Sequence, residues 1–280
     1  MKKRDLIYKY TERLGKTLLS FLRVILFARP TTLPRLEIDS NELVILGNGP
    51  SLRLFLDTKI SFLEGKEVMM VNFSALSDDY VKIRPKFYLL MDPLFFEDAA
   101  TIERLFPPLV SKTDWDLTLF VPLMAKKNKK WQEFLQGVTN IHVYFFNSGV
   151  AEGFTSFSHR IYRWRLGMPS PRNVLVAASM IGLQLPFSTI YLAGADHSWL
   201  KEIWVDDTNT VREDREYFYD KEGVEQVISP HFLHELLNSM AITYHSYHLV
   251  EKYAKQIGRK IYNITPNSFI DAFERKKMTK

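Results

Sequence analysis

Short apolar runs alternate along the chain with longer stretches in which apolar residues recur every three or four positions. Leu43–Gly47, Val68–Asn72, Phe87–Met91, Leu117–Val121, Ile141–Phe146, Ile190–Ala193 and Lys260–Ile264 have the length and the aliphatic and aromatic content of buried strands. Between them, Ala99–Leu105, Lys130–Leu135, Asn173–Leu183 and His231–Ile257 are predicted to be helices. Strands that alternate with helices imply parallel β-α-β units, so the predicted class is α/β with a doubly wound, mostly parallel sheet. Asn173–Ala195 carries no charge and is long enough to raise a membrane span. Gln184, Pro186, Ser188 and Thr189 interrupt it, and a buried helix entering a buried strand accounts for it better.

The start of the chain has a different pattern. Ile7, Tyr10, Leu14, Leu18, Phe21, Leu22 and Ile25 recur at helical steps and form one apolar stripe. The apolar run Leu18–Ala28 is broken by Arg23 and falls short of the ~20 residues a span requires. Arg23, with Arg29-Pro30 where small residues would mark a cleavage site, also speaks against a signal peptide. Two uses remain for residues 1–29: a basic amphipathic helix lying on a membrane surface, which is favoured, or a helix docked on its own domain. Pro30 and Pro34 make 30–41 a linker, and 42–280 is then one domain. Residues 197–230 are polar with Trp199, Trp204, Tyr217, Phe218 and Tyr219 interspersed, which suggests a lid inserted between strand and helix.

Charge sharpens this picture. Residues 1–29 hold eight bases and two acids, a net +6 against +5 for the whole chain, so the remainder is −1. The basicity therefore belongs to one element, and a nucleic-acid partner is not expected. The lack of cysteine removes disulfides, zinc-thiolate sites and thiol nucleophiles from consideration.

The candidate chemistry gathers where strands end. Gly47-Asn48-Gly49-Pro50-Ser51-Leu52 follows the first strand as a glycine-bracketed turn entering a helix. Gly47 and Gly49 let backbone pass close to a ligand, and N–H groups at a helix start attract phosphate. Asn48 offers a donor and an acceptor at the carboxyl edge of the sheet, where open α/β folds bind ligands. The turn matches neither a P-loop nor G-x-G-x-x-G. Asp92 closes the third strand and either binds sugar hydroxyls or caps the next turn. Arg172 suits a phosphate or a carboxylate. Asn238, His245 and His248 fall on one helical stripe with His234, a metal site only if further ligands completed it.

Four stretches in order resemble bacterial sialyltransferases of glycosyltransferase family 42, a group related to motility-associated flagellin glycosyltransferases and pterin diphosphokinase-like proteins. They are Gly47–Leu52, Val71-Asn72-Phe73, Ile190–Asp196 and Thr265-Pro266-Asn267-Ser268, and they span Leu43–Phe273. The resemblance implies a Rossmann-like sheet of a GT-A-like variant, and a soluble enzyme without cofactor or metal. It implies that Asn48 and Asn72, with Gly47, Gly49, Ser51 and Gly194 in the glycine-containing turns, meet a CMP-sugar. It implies a histidine general base just before the long last helix, here His234 with His231 in reserve. Where the family carries Thr-Ser-Gly this chain has Pro171-Arg172-Asn173, and the family's leaving-group tyrosines do not align near Asp196-His197-Ser198. Tyr217 and Tyr219 of the lid are the substitutes.

The favoured expectation is a metal-independent inverting glycosyltransferase. It would transfer a sialic acid-like or Kdo-like sugar from a CMP donor to a bacterial surface glycan or glycolipid, such as lipooligosaccharide or capsule. It would act at the cytoplasmic face of the inner membrane, and the resemblance implies a homo-oligomer, as family members form. One alternative is a Mg-dependent pterin-type diphosphokinase, with Asp92 and Asp196 on the metal. The other is a non-catalytic part of polysaccharide assembly.

Overall fold

The computed structural model describes residues 3–33, 38–215, 217–218 and 225–277. The chain runs α1 (Lys3–Phe27), β1 (Glu42–Leu46), α2 (Ser51–Lys59), β2 (Glu67–Val71), α3 (Asp79–Ile83), β3 (Phe87–Leu89), α4 (Leu94–Glu97) and α5 (Ala99–Lys112). It continues with β4 (Leu117–Pro122), α6 (Lys130–Glu133), β5 (Ile141–Phe146), α7 (Thr155–Arg163), α8 (Val174–Gln184) and β6 (Thr189–Ala193). Last come β7 (Ile203–Val205), β8 (Val211–Arg215), β9 (Glu225–Ile228), α9 (Leu233–Gln256), β10 (Lys260–Asn263) and β11 (Glu274–Arg275).

Eight strands form one sheet in the order β11-β10-β6-β1-β2-β3-β4-β5, and every pairing in it is parallel. The fold is α/β and Rossmann-like, as predicted. Alternate residues of β1 serve two cores: Leu43 and Ile45 pack with α8 and α9 residues such as Ala178 and Val250. Val44 and Leu46 pack with Leu52 of α2 and Phe106 of α5. Burial on both faces is why these strands are continuously apolar rather than alternating. From β1 the chain winds outward to β5, then returns to lay β6 on the other side of β1. That reversal opens a crevice at the carboxyl ends of β1 and β6.

The charge-free stretch is α8, with Leu175 to Leu183 all buried, followed by β6. α5 runs past the expected end at Leu105 and through Pro107-Pro108, because Phe106 and Leu109 are buried on the same face as Ile102 and Leu105. That packing outweighs the backbone hydrogen bonds the prolines remove. The polar stretch after β6 contains an antiparallel sheet, β7-β8-β9. Of the segment read as a linker, residues 34–37 lie outside the described residues.

α1 meets the body through its polar side. Ser20 Oγ donates to Glu152 O (3.0 Å) and accepts from Glu152 N–H (2.9 Å), while Phe154 N–H donates to Thr17 Oγ1 (2.9 Å). Val24 packs against the core between them. Of the predicted apolar stripe, Tyr10 lies against Phe154 of the body (ring centroids 5.2 Å), while Ile7, Leu14, Leu18, Phe21, Leu22 and Ile25 are 41–58% exposed. Each Leu or Phe left out this way forgoes about 1.5–3 kcal/mol of burial.

Candidate functional site

The crevice floor is made by two strand ends in backbone contact. Gly47 N–H donates to Ala193 O (2.8 Å) and Gly49 N–H donates to Gly194 O (3.0 Å). A Cβ at Gly47 would stand 2.5 Å from Gly194 O, and one at Gly49 would stand 2.0 Å from Asp196 Oδ2. Gly194 itself has φ +66°, a left-handed conformation that favours glycine. These glycines thus serve the contact between β1 and β6, where the sequence suggested room for a ligand. From below, Ser268 Oγ donates to Ala195 O (2.5 Å) and Phe269 N–H donates to Asp196 O (2.8 Å), so the Pro-Asn-Ser turn buttresses the end of β6.

The start of α2 is already occupied. Ser51 N–H and Oγ donate to Asp196 Oδ1 and Oδ2 at 3.3 and 2.8 Å. Asp196 therefore sits where a phosphate was expected, and Gly47 and Ser51 do not line the cleft. Burial pushes the Asp196 carboxyl above its ordinary range, against the hydrogen bonds from Ser51 that pull it down.

Around this floor lies a cleft of ≈ 500 Å³, a size suited to a small organic ligand. Asn48, Gly49, Asn72, Asp92, Arg172, Asn173, Gly194, Asp196 and Tyr217 line it. Asn48 spends part of its amide on the protein: Nδ2 donates to Val71 O (3.2 Å) and Oδ1 accepts from Ser74 Oγ (2.7 Å). Asn72 is the less committed of the two. It has φ +51°, and its Oδ1 is buried without a hydrogen-bond partner. Such an orphan acceptor costs about 1–3 kcal/mol unless something supplies a donor. Asp92 is exposed and Oδ1 accepts from Leu94 N–H (2.9 Å), the capping role weighed for it. Arg172 is exposed and makes no ion pair or hydrogen bond among the described residues, which leaves its guanidinium available to an anion.

Behind Arg172, a buried chain of polar groups fixes the wall. Asn173 Oδ1 caps α8 by accepting from Leu175 N–H (2.9 Å), and accepts again from Tyr247 Oη (3.1 Å). Tyr247 Oη is also 2.7 Å from His197 Nε2. Since the tyrosine gives its one proton to Asn173, the histidine proton belongs on Nε2. His197 has φ +54°, lies 4.3 Å from the Trp199 ring, and is held by Tyr244 Oη donating to its carbonyl (2.7 Å). Burial pushes its imidazole down to about 3, so it is neutral at physiological pH.

The β7–β9 insertion forms the roof. It contributes Glu202, Ile203, Glu213, Asp214 and Tyr217 to the cleft. Phe218 ties it to the floor: its N–H donates to Asn48 O (3.2 Å), and Arg53 Nη2 donates to Phe218 O (3.2 Å). Tyr219 lies outside the described residues.

The structure does not bring the two predicted bases to the cleft. His231 and His234 are exposed, His231 beside Glu235 (4.0 Å) and His234 stacked on Phe232. α9 faces the cleft with Leu236, Ser239, Met240 and Thr243. Those four keep helical steps among themselves, but Leu236 is about 200° around the helix from His234. The rest of the histidine stripe is also on the surface, with His248 paired to Asp271 (3.0 Å). Among the described residues no group of three or more His, Asp or Glu side chains is placed to hold a metal. Sequence reading missed His197, Trp199, Glu202, Glu213, Asp214 and the cleft face of α9. Adjacency to Asp196 was the available signal for His197.

No family model matches the chain, and no curated protein matches it. Among solved structures it is similar to a MAf glycosyltransferase from Magnetospirillum magneticum AMB-1, at 13% identity and a TM-score of 0.52. The likeness covers 95% of this chain and 38% of that one, so the chain spans well under half of its neighbour's length. At that identity it shows a shared fold.

Proposed function

We propose that the chain is a glycosyltransferase that binds a nucleotide-activated sugar in this cleft and passes the sugar to a glycan hydroxyl. One observation carries the reading: at the switch point of a glycosyltransferase-like sheet, Asn72 with its orphan acceptor and the unpaired Arg172 line the same cleft as the half-buried carboxylate of Asp196. In this reading Arg172 holds the donor phosphate, while the Asn72 amide oxygen accepts from a ribose or sugar hydroxyl. The carboxylates of Glu202, Glu213 and Asp214 accept from further sugar hydroxyls.

The proton acceptor moves from His234 to Asp196. A carboxylate with raised proton affinity suits general-base work near neutrality better than an imidazole held down to about 3. Asp196 takes the acceptor hydroxyl's proton as that oxygen bonds to the anomeric carbon. The bond from that carbon to the phosphate oxygen breaks on the opposite face, and the nucleotide leaves with its electron pair. Inversion, a CMP donor with a sialic acid-like or Kdo-like sugar, and a surface glycan or glycolipid acceptor belong to the proposal.

The test is a thermal-shift panel of CMP, UDP, GDP and ATP, followed by nucleotide release from matching sugar donors. One nucleotide should raise the melting temperature, since a ligand of the folded state stabilises it. Arg172→Ala should weaken that binding about 10- to 100-fold. Asp196→Asn should keep binding and lower kcat by about 10²- to 10⁴-fold. A panel with neither binding nor release would overturn the proposal. The surplus of carboxylates around one arginine favours a second reading, in which ATP arrives with Mg²⁺ for diphosphoryl transfer. Abolition of turnover by a chelator, with AMP as product, would select it.

A further inference from the structure

We infer that α1 is an in-plane membrane element whose outward face inserts into an anionic lipid surface. Helical steps put Ile7, Leu14, Leu18, Leu22 and Ile25 on one side of α1, about 110° around the axis from Thr17, Ser20 and Val24. The second group is the one that meets the body; the first is exposed. An amphipathic helix normally buries its apolar side against its own domain, whereas this one meets its domain through a flank and leaves most of that side exposed. Something outside the described residues is needed to cover that face.

Charge selects the occupant. Residues 1–29 carry a net +6 while the rest of the chain carries −1. A second copy meeting this face would set two such segments against each other, whereas anionic headgroups neutralise one. No helix among the described residues is long and apolar enough to cross a bilayer, so α1 lies along the surface. Its 25 residues would cover about 37 Å there. The mounting also sets orientation. Residues 152–154, which hold α1, follow the carboxyl end of β5, and the cleft opens along the same edge of the sheet. α1 is therefore attached at the edge of the sheet on which the cleft opens. That this would present a lipid-borne acceptor to the cleft rests on the proposed function; the lipid binding does not.

Flotation of the full chain with vesicles tests the inference, with no nucleotide or acceptor present. Wild type should float with equimolar phosphatidylcholine and phosphatidylglycerol, and less with phosphatidylcholine alone or at high salt. The triple variant Leu14→Gln, Leu18→Gln, Leu22→Gln should lose at least about tenfold in partitioning. Its circular dichroism and melting temperature should hold, because those three side chains are exposed. Wild type that stays unbound with anionic vesicles overturns the inference, as does a triple variant that floats equally well. A lipid-free dimer that the triple variant dissolves, without flotation of wild type, assigns the face to a second copy instead.

Discussion

His197 shows how a single side chain can be decisive in the fold and silent in the sequence. Its ring is buried at the cleft wall and its backbone is left-handed, which Asn tolerates better than most residues. In the unfolded chain it takes up a proton near pH 6.5, while in the folded protein it resists one until about 3. Between those values the unfolded state binds more protons, so stability present above pH 6.5 is lost as the pH falls through the window. Asp196 works with the opposite sign: its raised carboxyl costs stability near neutrality and is relieved on acidification. Chemical denaturation as a function of pH should show wild type losing more stability than His197→Asn between pH 6.5 and 3. Parallel pH curves for the two proteins would refute this. Residue by residue, Asn72 and Asp196 were legible because each follows an apolar strand, and parallel strands deliver such positions to one edge, while Arg172 was legible as a lone cation just before the charge-free helix α8. The orphaned amide and the carboxylate in the helix start were not legible, since both depend on which loops come to lie side by side.

Among the elements, the seven predicted strands lie in the central sheet, displaced by a residue or two at their ends. Their apolar runs could be read because burial on both faces leaves no polar positions to blur them. β7, β8 and β9 were read only as part of a polar stretch, for each is three to five residues long and the apolar positions of β7 and β9 are separated by the charges of β8. The phase of α9 was equally hidden. Exposed Leu233 and Leu237 mimic a core stripe, and only tertiary packing tells that Met240 and Thr243 face inward. The roof's attachment yields a prediction at this scale. Phe218 is 5% exposed, and the guanidinium of Arg53 lies 5.8 Å from its ring. Phe218→Ala should raise amide exchange across β7–β9 at least about tenfold while β1 and β6 stay protected. Unchanged exchange in the roof would show that it is held by other means.

Across the whole molecule, the two halves of the sheet are joined where β1 meets β6, and Gly47 and Gly194 let them touch backbone to backbone. Gly47→Ala should cost about 3 kcal/mol in urea denaturation and lower the stability of the entire sheet, because the obstructing atom is a carbonyl with no rotamer to yield. A variant as stable as wild type would mean that this join can slip. Such a join has a bearing on how the molecule changes its clientele. With no side chain between the two strand ends, the floor has nothing to trim or enlarge. A bulkier or differently shaped guest has to be accommodated by the ribbon overhead and by the wall that bears Arg172. Exchanging that ribbon for another would therefore retarget the protein without disturbing its foundation, a division of labour that places innovation and architecture in separate stretches of one chain.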